Sequence, residues 1–325
     1  MPKDITYSIE DLKKFISKDG EPSIAFYGGE PLLRVEKIKE IMDKIKAKHY
    51  ILQTNGLLLD KLDEEYIRKF STILVSIDGR KETTEFYRGK VYDRVIRNVK
   101  KINGYFDGEI IARMVATQRT EIYKDVTHLL SLGIFTHIHW QIDAVWSNDG
   151  IWQDFRSWTV NYNKGILKLV DYWVKSIKAG RVLGIVPFLG VFTAILRSYN
   201  HPPCASGFKS FAITTDGKVL ACPICPELDW NLLGTIYDSK LKKVKILDPC
   251  PSCEYFSVCG GRCLFFNRER LWGEEGFNLV CSTVKNLVNS IKSRFNEILK
   301  VVEMGVVDLN SLIYPKFLNT TEIIP

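Results

Sequence analysis

The eight cysteines of this chain are confined to one stretch, and their type and spacing are suited to binding metal. The first 203 of the 325 residues contain no cysteine. Thiolates are the ligands of iron–sulfur clusters and of structural zinc, usually four to a centre. Eight thiols within fewer than eighty residues could therefore form two four-ligand sites. In chain order they are Cys204, Cys222, Cys225, Cys250, Cys253, Cys259, Cys263 and Cys281.

Disulfides, zinc and iron–sulfur clusters are the three alternatives for these thiols. Disulfides are disfavoured, because we expect no secretion signal in residues 1–9 and the chain is far longer than small disulfide-stapled domains. Zinc ribbons use CxxC pairs such as Cys222/Cys225 and Cys250/Cys253. The continuous C-x2-C-x5-C-x3-C run that begins at Cys250 is less typical of zinc, which favours two separated pairs. Spacing alone favours iron–sulfur and leaves zinc open.

Composition predicts a globular protein with room for one large domain and one small one. The chain is 46% hydrophobic and 12% aromatic, which argues against disorder. Its net charge of +7 is spread along Lys/Glu-rich segments, so nucleic acid is not indicated as a partner. The longest apolar stretch, residues 182–196, is too short and too broken to span a membrane. Thiol-rich chemistry without an export signal predicts a cytoplasmic protein.

Hydrophobic periodicity predicts an alternation of helices and strands through the first 145 residues. A Ser8-x-x-Asp11 capping box opens the first helix. Such an alternation implies a parallel sheet, open or curled into a barrel, with its active site at the carboxyl ends of the strands. The predicted helices cover residues 8–16, 35–45, 64–70, 92–102 and 123–132. The predicted strands cover residues 23–27, 50–53, 72–77, 110–116 and 137–142.

Three short glycine motifs follow successive predicted strands. They are Gly28-Gly29-Glu30-Pro31, Thr54-Asn55-Gly56 and Ser76-Ile77-Asp78-Gly79. Glycine at any one of them could simply turn the chain. Three at one sheet edge favour a ligand pocket, because glycine lets a ligand approach the backbone closely. Glu30, Asn55 and Ser76 would offer hydrogen bonds to an ammonium or carboxylate group.

The cysteine spacing, with Gly217 before Cys222 and Leu-Gly-Thr-Ile-Tyr-Asp at 233–238, resembles the SPASM domain of many radical SAM enzymes. The resemblance implies two auxiliary [4Fe–4S] clusters. Cys225 is the spare thiol and a candidate fourth ligand of the first cluster, with an open iron site as the alternative. The implied ligands of the first cluster are Cys204, Cys222 and Cys263. Those of the second are Cys250, Cys253, Cys259 and Cys281.

The sequence FYGGEP at residues 26–31 resembles the GGEP motif of the radical SAM enzymes. This likeness implies an α/β fold: a partial (β/α)6 barrel lacking its first strand, then a small Cys-rich domain and a C-terminal helix. It also implies that Gly28, Gly29, Glu30 and Pro31 bind the methionine amino group of S-adenosylmethionine. Ser76 and Arg88 match positions that hold the methionine carboxylate in maturase relatives.

The CxxxCxxC loop that holds the catalytic cluster in radical SAM enzymes has no counterpart in this sequence. We expect either an N-terminal truncation or a natural relative without that cluster. A third [4Fe–4S] cluster is therefore expected only in a full-length form, and the chain as printed should not cleave S-adenosylmethionine unaided. The expected domains are residues 1–145 for the barrel, 146–200 for a helical connector, 201–285 for the SPASM domain and 286–325 for a C-terminal helix and tail.

No residue is a clear acid–base candidate. Sulfatase maturases carry an aspartate where this chain has Pro223, so that role is not assigned. His139 and Asp143 could face a substrate, although core packing or surface exposure is the commoner outcome for such residues. Tyr27 is expected to line the pocket, and Trp140 to be buried.

The sequence thus predicts a radical SAM/SPASM enzyme that modifies a side chain of a peptide or protein substrate. By resemblance, a radical derived from S-adenosylmethionine removes a hydrogen atom, and the auxiliary clusters accept an electron or anchor the substrate. An external electron donor is implied. The alternatives are a non-catalytic peptide-recognition module and a zinc-ribbon scaffold protein.

Overall fold

A five-stranded parallel sheet forms the larger part of the computed structural model, which describes residues 2–143, 152–270 and 272–325. The strands lie in chain order, β1-β2-β3-β4-β5, and each pairs in parallel with the next. Their bounds are Ser23–Phe26 (β1), His49–Thr54 (β2), Phe70–Ser76 (β3), Glu109–Ala116 (β4) and His137–Ile142 (β5). The predicted α/β class and parallel sheet are confirmed.

Helices join the strands, as the periodicity predicts. The Ser8 side chain accepts a hydrogen bond from the Asp11 backbone at 3.0 Å and caps the first helix. The helix predicted at 64–70 is shorter, because the chain enters the sheet at the buried Phe70. The helices of this part are Ile9–Ile16 (α1), Val35–Lys44 (α2), Glu64–Ile67 (α3), Lys81–Arg88 (α4), Tyr92–Asn103 (α5) and Ile122–Ser131 (α6).

Long helices and a small antiparallel sheet make up the second half. The predicted connector contains Phe155–Lys178 (α7) and Val186–Arg197 (α8), and its expected start at residue 146 lies outside the described residues. Cys281 lies on Gly273–Glu303 (α11), so the expected boundary after residue 285 falls within one helix. The remaining elements are Ala212–Ile213 (β6), Lys218–Leu220 (β7), Leu232–Thr235 (β8), Phe256–Cys259 (α9), Leu264–Glu269 (α10) and Leu309–Leu312 (α12). None of the helices formed by the described residues is both long and apolar enough to cross a bilayer.

The two faces of the large sheet differ in what covers them. Side chains alternate along a strand, so Leu52 and Ile73 pack into the main helix-covered core. The opposite, inner face presents Ile51, Leu74 and Ile111, and these contact Phe317 from the end of the chain. The inner face is thus covered by the chain's own residues 314–325, which we call the C-terminal segment.

The C-terminal segment crosses the inner face between the sheet and α8. Phe317 stacks on His49 with ring centroids 3.8 Å apart, near the start of β2. Further along, Ile323 and Ile324 are each only 1% exposed. A Cβ atom at Gly190 of α8 would overlap the side chain of Ile323, so the helix packs directly on the segment. The segment is therefore a core element and not a surface tail.

Truncation of Ile323 tests this packing. We expect Ile323→Ala to lower the free energy of unfolding by about 2–5 kcal/mol, because it leaves a cavity between α8 and the sheet. Met304→Ala is the control, since Met304 is 76% exposed, and it should change stability by less than about 0.5 kcal/mol. Urea unfolding of both variants measures the difference. Equal stability of the two variants would contradict the packing described.

Candidate functional site

The loop after β1 leaves open space above two glycines. Gly28 has φ +150°, a backbone conformation that side chains rarely adopt. A Cβ atom at Gly28 or at Gly29 would meet no atom of the described residues within 4 Å. The backbone of this loop is therefore accessible to a ligand at the carboxyl edge of the sheet.

Glu30 ties the first glycine motif to the second. Its carboxylate accepts hydrogen bonds from the backbone N–H groups of Leu32 at 3.0 Å and Asn55 at 2.7 Å. The Thr54 hydroxyl lies 2.9 and 3.0 Å from its two oxygens. The sequence predicts that Glu30 binds an ammonium group. In the structure its carboxylate oxygens accept hydrogen bonds that hold the two loops together. The two motifs do share one sheet edge, as predicted.

Asn55 and Gly56 shape the second loop. The Asn55 Oδ1 atom accepts a hydrogen bond from the Leu57 backbone at 2.9 Å, which closes a turn. Gly56 has φ +77°, and a Cβ atom there would lie 2.8 Å from the Val75 side chain. Glycine is required at this position, so its presence is explained by the turn without any ligand.

Arg88 is held at the third motif by a buried carboxylate. Its Nε and Nη2 atoms donate to Asp78 at 2.6 and 2.8 Å, and Asp78 is only 2% exposed. Asp78 also accepts from the Val115 backbone at 2.9 Å. The guanidinium is thus fixed at the sheet edge with Nη1 outside this pair. Ser76 ends β3 on the inner face, in register with Arg113.

A charged layer lies on the inner face just below this edge. Arg113 donates to Gln53 at 2.8 Å and lies 3.6 Å from a carboxylate oxygen of Glu322. His139 is fully buried, and its Nε2 atom lies 2.7 Å from the Glu322 backbone oxygen. Burial lowers the pKa of His139 to about 3, so the ring is neutral at pH 7. A buried structural role therefore accounts for His139.

The structure also places three other residues that the sequence singled out. Trp140 is completely buried, as expected, and its indole N–H donates to the Tyr162 hydroxyl at 2.7 Å. Asp143 follows β5 and is partly exposed. Tyr27 is half-exposed beside the glycine loop, and burial of its hydroxyl raises its pKa. Tyr27 is also close enough to Cys222 to interact with it electrostatically, so this part of the sheet edge lies near the cysteine-rich region.

Four thiols surround one apolar cavity. Cys250, Cys253, Cys259 and Cys281 line it, and its empty volume is about 440 Å³ including the mouth. Phe266 and Phe277, whose rings stack at 5.3 Å, form part of its wall. Burial raises the pKa of Cys259 to about 12 and also raises that of Cys250 and Cys281. The donor set is the one that a four-thiolate cluster requires.

The other four thiols form a separate group, which we call the first thiol group because the resemblance assigns it to the first cluster. The four thiols that line the cavity are the second thiol group. Cys263 lies close enough to Cys204, Cys222 and Cys225 to interact electrostatically with each of them. Burial raises the pKa of Cys204 and of Cys225 to about 12 and raises that of Cys222 as well. Buried Asn231 donates to the carbonyls of Cys222 and Cys225 at 2.8 Å each and fixes this CxxC loop.

All eight cysteines are free thiols, so a disulfide framework is absent from the part of the chain that the structure describes. Within that part, no three His, Cys, Asp or Glu side chains converge on a point suited to one metal ion. One zinc needs its sulfurs about 2.3 Å from a single centre, whereas four thiolates of a [4Fe–4S] cluster each bind a different iron. Thiols that stand around a cavity fit the cluster. The ligand roles themselves stay predictions.

Four residues near these groups were missed in the sequence. They are Arg113, Asn231, Glu322 and Arg262, none of which carries a motif. Arg113 and Glu322 act through contacts distant in the chain, and Asn231 through contacts with the nearby CxxC loop. Arg262 offered one signal, namely a cation placed inside the spacer between Cys259 and Cys263. A charged residue buried among thiols is informative because its burial must be compensated.

Known proteins resemble the chain in both sequence and structure. The family model described as a 4Fe-4S single cluster domain matches residues 4–94, a range without cysteine. A cysteine-type anaerobic sulfatase-maturating enzyme from Clostridium perfringens is 22% identical over 317 residues, covering 84% of this chain and 85% of the relative. An uncharacterized protein of Archaeoglobus fulgidus is 22% identical over 275 residues, covering 78% of this chain and 65% of its own length. The chain thus spans less than two thirds of that relative.

A solved structure of native anSMEcpe with bound AdoMet and Cp18Cys peptide superposes with a TM-score of 0.68. It is 22% identical in sequence, and the match covers 91% of this chain and 90% of that one. The chain therefore shares the fold of this structure and is similar in sequence to a cysteine-type anaerobic sulfatase-maturating enzyme.

Proposed function

We propose that this chain acts in radical SAM modification of a peptide or protein side chain and carries two auxiliary [4Fe–4S] clusters in a SPASM-type region. The observation that supports this most is the arrangement of the thiols. Four of them line a single cavity, and the other four form a separate group that lies near the sheet edge. Free thiols in this number suit a reducing cytoplasm, where we place the protein.

The sheet edge supplies the S-adenosylmethionine site in this proposal. The open backbone at Gly28 and Gly29 receives the methionine amino group, and Ser76 and the fixed Arg88 face its carboxylate. Glu30 and Asn55 contribute by holding the loops in place. S-adenosylmethionine, once reduced by a catalytic cluster, supplies the radical that removes a hydrogen atom from the substrate. Thiolates for that cluster are not found among residues 1–203 of the printed sequence.

A peptide substrate is supported by the similar protein that was solved with bound AdoMet and peptide. The same sheet edge is bordered by Tyr27, Glu322 and the first thiol group. A substrate side chain placed there would be close to the S-adenosylmethionine site and to the first thiol group. The first group would be the nearer electron acceptor or anchor. The second group lies farther into the cysteine-rich region, beside α11, where it would pass the electron to an external carrier.

A non-catalytic peptide-recognition module is the second candidate function. It is favoured by Glu30 and Gly56, whose presence is explained by the loop contacts without any ligand. The two candidates share the auxiliary clusters and differ in whether 5′-deoxyadenosine is formed.

Metal content tests the cluster proposal. Anaerobically reconstituted protein should be brown and hold about eight irons per chain, because two clusters have four irons each. Metal analysis and the visible absorption spectrum measure this directly. Colourless protein with about two zinc ions per chain and little iron would instead support the zinc-scaffold alternative.

Single substitutions separate the thiol groups. Cys259→Ala should lose about four irons and destabilise the cysteine-rich region, since cluster binding contributes folding free energy. Cys225→Ala is the comparison. It should retain more iron, because Cys225 is the spare thiol of its group and the implied ligands of that cluster stay in place. Iron content and thermal unfolding measure both variants. Equal and complete loss of iron in the two variants would refute the assignment.

Arg88 tests the cofactor site. We expect the printed 325-residue chain to bind S-adenosylmethionine weakly and to form no 5′-deoxyadenosine under strong reductant. Arg88→Ala should weaken binding by about tenfold or more, as loss of a charged hydrogen bond costs about 1.5–3 kcal/mol. Arg94→Ala on the exposed face of α5 is the control and should bind normally. Calorimetry and product chromatography provide the readouts. Catalytic formation of deoxyadenosine by this chain would overturn the expectation.

A further inference from the structure

Arg262 is a buried cation in a strained position. It joins α9 to α10 and is only 5% exposed. Its φ of +57° lies in the left-handed region, which is unfavourable for a residue with a side chain. Both burial of the charge and the backbone conformation cost free energy. Because an arginine at this place costs free energy, we expect the guanidinium itself to have a role.

The guanidinium is only partly satisfied by protein groups. Its Nε atom donates to the Pro325 backbone oxygen at 2.7 Å, and the group lies over the Phe266 ring at 4.9 Å. The Nη1 atom is buried and has no hydrogen-bond partner among the described residues. A buried N–H donor without an acceptor is rare in folded proteins, so an acceptor is expected at this place.

Thiols are the acidic groups around this cation. Burial lowers the pKa of Arg262, and the Cys263, Cys259 and Cys281 thiols, with the Tyr162 hydroxyl, lie close enough to interact electrostatically with it. Cys259 and Cys281 line the cavity of one thiol group, and Arg262 lines that cavity too. Cys263 belongs to the other group. The guanidinium therefore lies between the two groups and contacts the surroundings of both.

We propose that Arg262 is the shared counter-cation of the two auxiliary clusters, with Nη1 donating a hydrogen bond to a cluster or cysteine sulfur. The inference rests on the proposed function, since it requires both clusters. Four thiolates give a bound cluster net negative charge, which increases when the cluster is reduced. A fixed positive charge and a hydrogen bond to sulfur both favour the reduced form and raise the reduction potential.

This role accounts for arginine at position 262. A planar guanidinium can stack on Phe266, donate to Pro325 and still direct Nη1 to a sulfur, whereas a lysine ammonium cannot satisfy all three. The same residue therefore links the end of the C-terminal segment to the cluster surroundings. Arg262 is a positioning and tuning residue, and substrate contact is not required of it.

The test is a potentiometric titration of reconstituted protein followed by electron paramagnetic resonance. In Arg262→Met, each cluster should be at least tenfold harder to reduce at a fixed potential, a fall of about 59 mV for one electron. Arg268→Met is the control, because Arg268 is partly exposed on α10 over Trp230, and its potentials should stay unchanged. Unchanged potentials in Arg262→Met at full iron content would overturn the inference and leave the proposed function intact. A shift of one cluster alone would overturn the shared role.

Arg262→Lys keeps the inference testable if the methionine variant does not retain its iron. Lysine keeps the positive charge and loses the planar guanidinium with its several N–H donors. Both clusters should therefore become measurably harder to reduce at a fixed potential, by less than tenfold, at full iron content. Unchanged potentials in this variant would overturn the proposal. A wild-type chain that takes up no iron would overturn the inference and the proposed function together, and iron analysis distinguishes that outcome from the others.

Discussion

The C-terminal segment is the physical connection on which the arrangement of the molecule depends. It runs from Phe317, stacked on β2, past Glu322 beside Arg113, to Pro325 at Arg262. The first two contacts join the segment to the sheet, and the third joins it to the cysteine-rich region. Because Ile323 and Ile324 are buried between the sheet and α8, the segment cannot shift without opening the core. The distance between the sheet edge and the thiols is set by this packing.

Electrostatics then divides the chemistry between the two parts of the molecule. The sheet edge is polar, and hydrogen bonds fix its side chains. Arg88 is held by Asp78, and Glu30 joins the loop after β1 to the loop after β2. The cysteines are buried or partly buried, and desolvation raises the pKa of most of the thiols, so they bind metal only by releasing protons. Arg262 is a buried cation beside thiols of both groups. The proposed electron path follows from that layout.

Local patterns predicted what is encoded locally. The strands, the Ser8 cap and the shared edge of the glycine motifs follow from periodicity and turn chemistry over a few residues. The SPASM resemblance assigns Cys250, Cys253, Cys259 and Cys281 to one cluster, and the structure places these four thiols around one cavity; their ligand roles stay predictions. Tertiary contacts were not accessible in this way. The contact of Glu322 with Arg113 and the hydrogen bond from the Asn55 backbone to Glu30 join segments that are far apart in the chain. No sequence pattern links those segments, so the contacts could not be predicted.

The central claim is that the thiols hold two [4Fe–4S] clusters, and Mössbauer spectroscopy of iron-enriched, reconstituted protein tests it most directly. The account predicts that nearly all iron, about eight per chain, is present as [4Fe–4S] clusters. It also predicts that this signal is halved when Cys259 is replaced by alanine. Iron found mainly as mononuclear or adventitious species, with zinc occupying the thiols, would contradict the account.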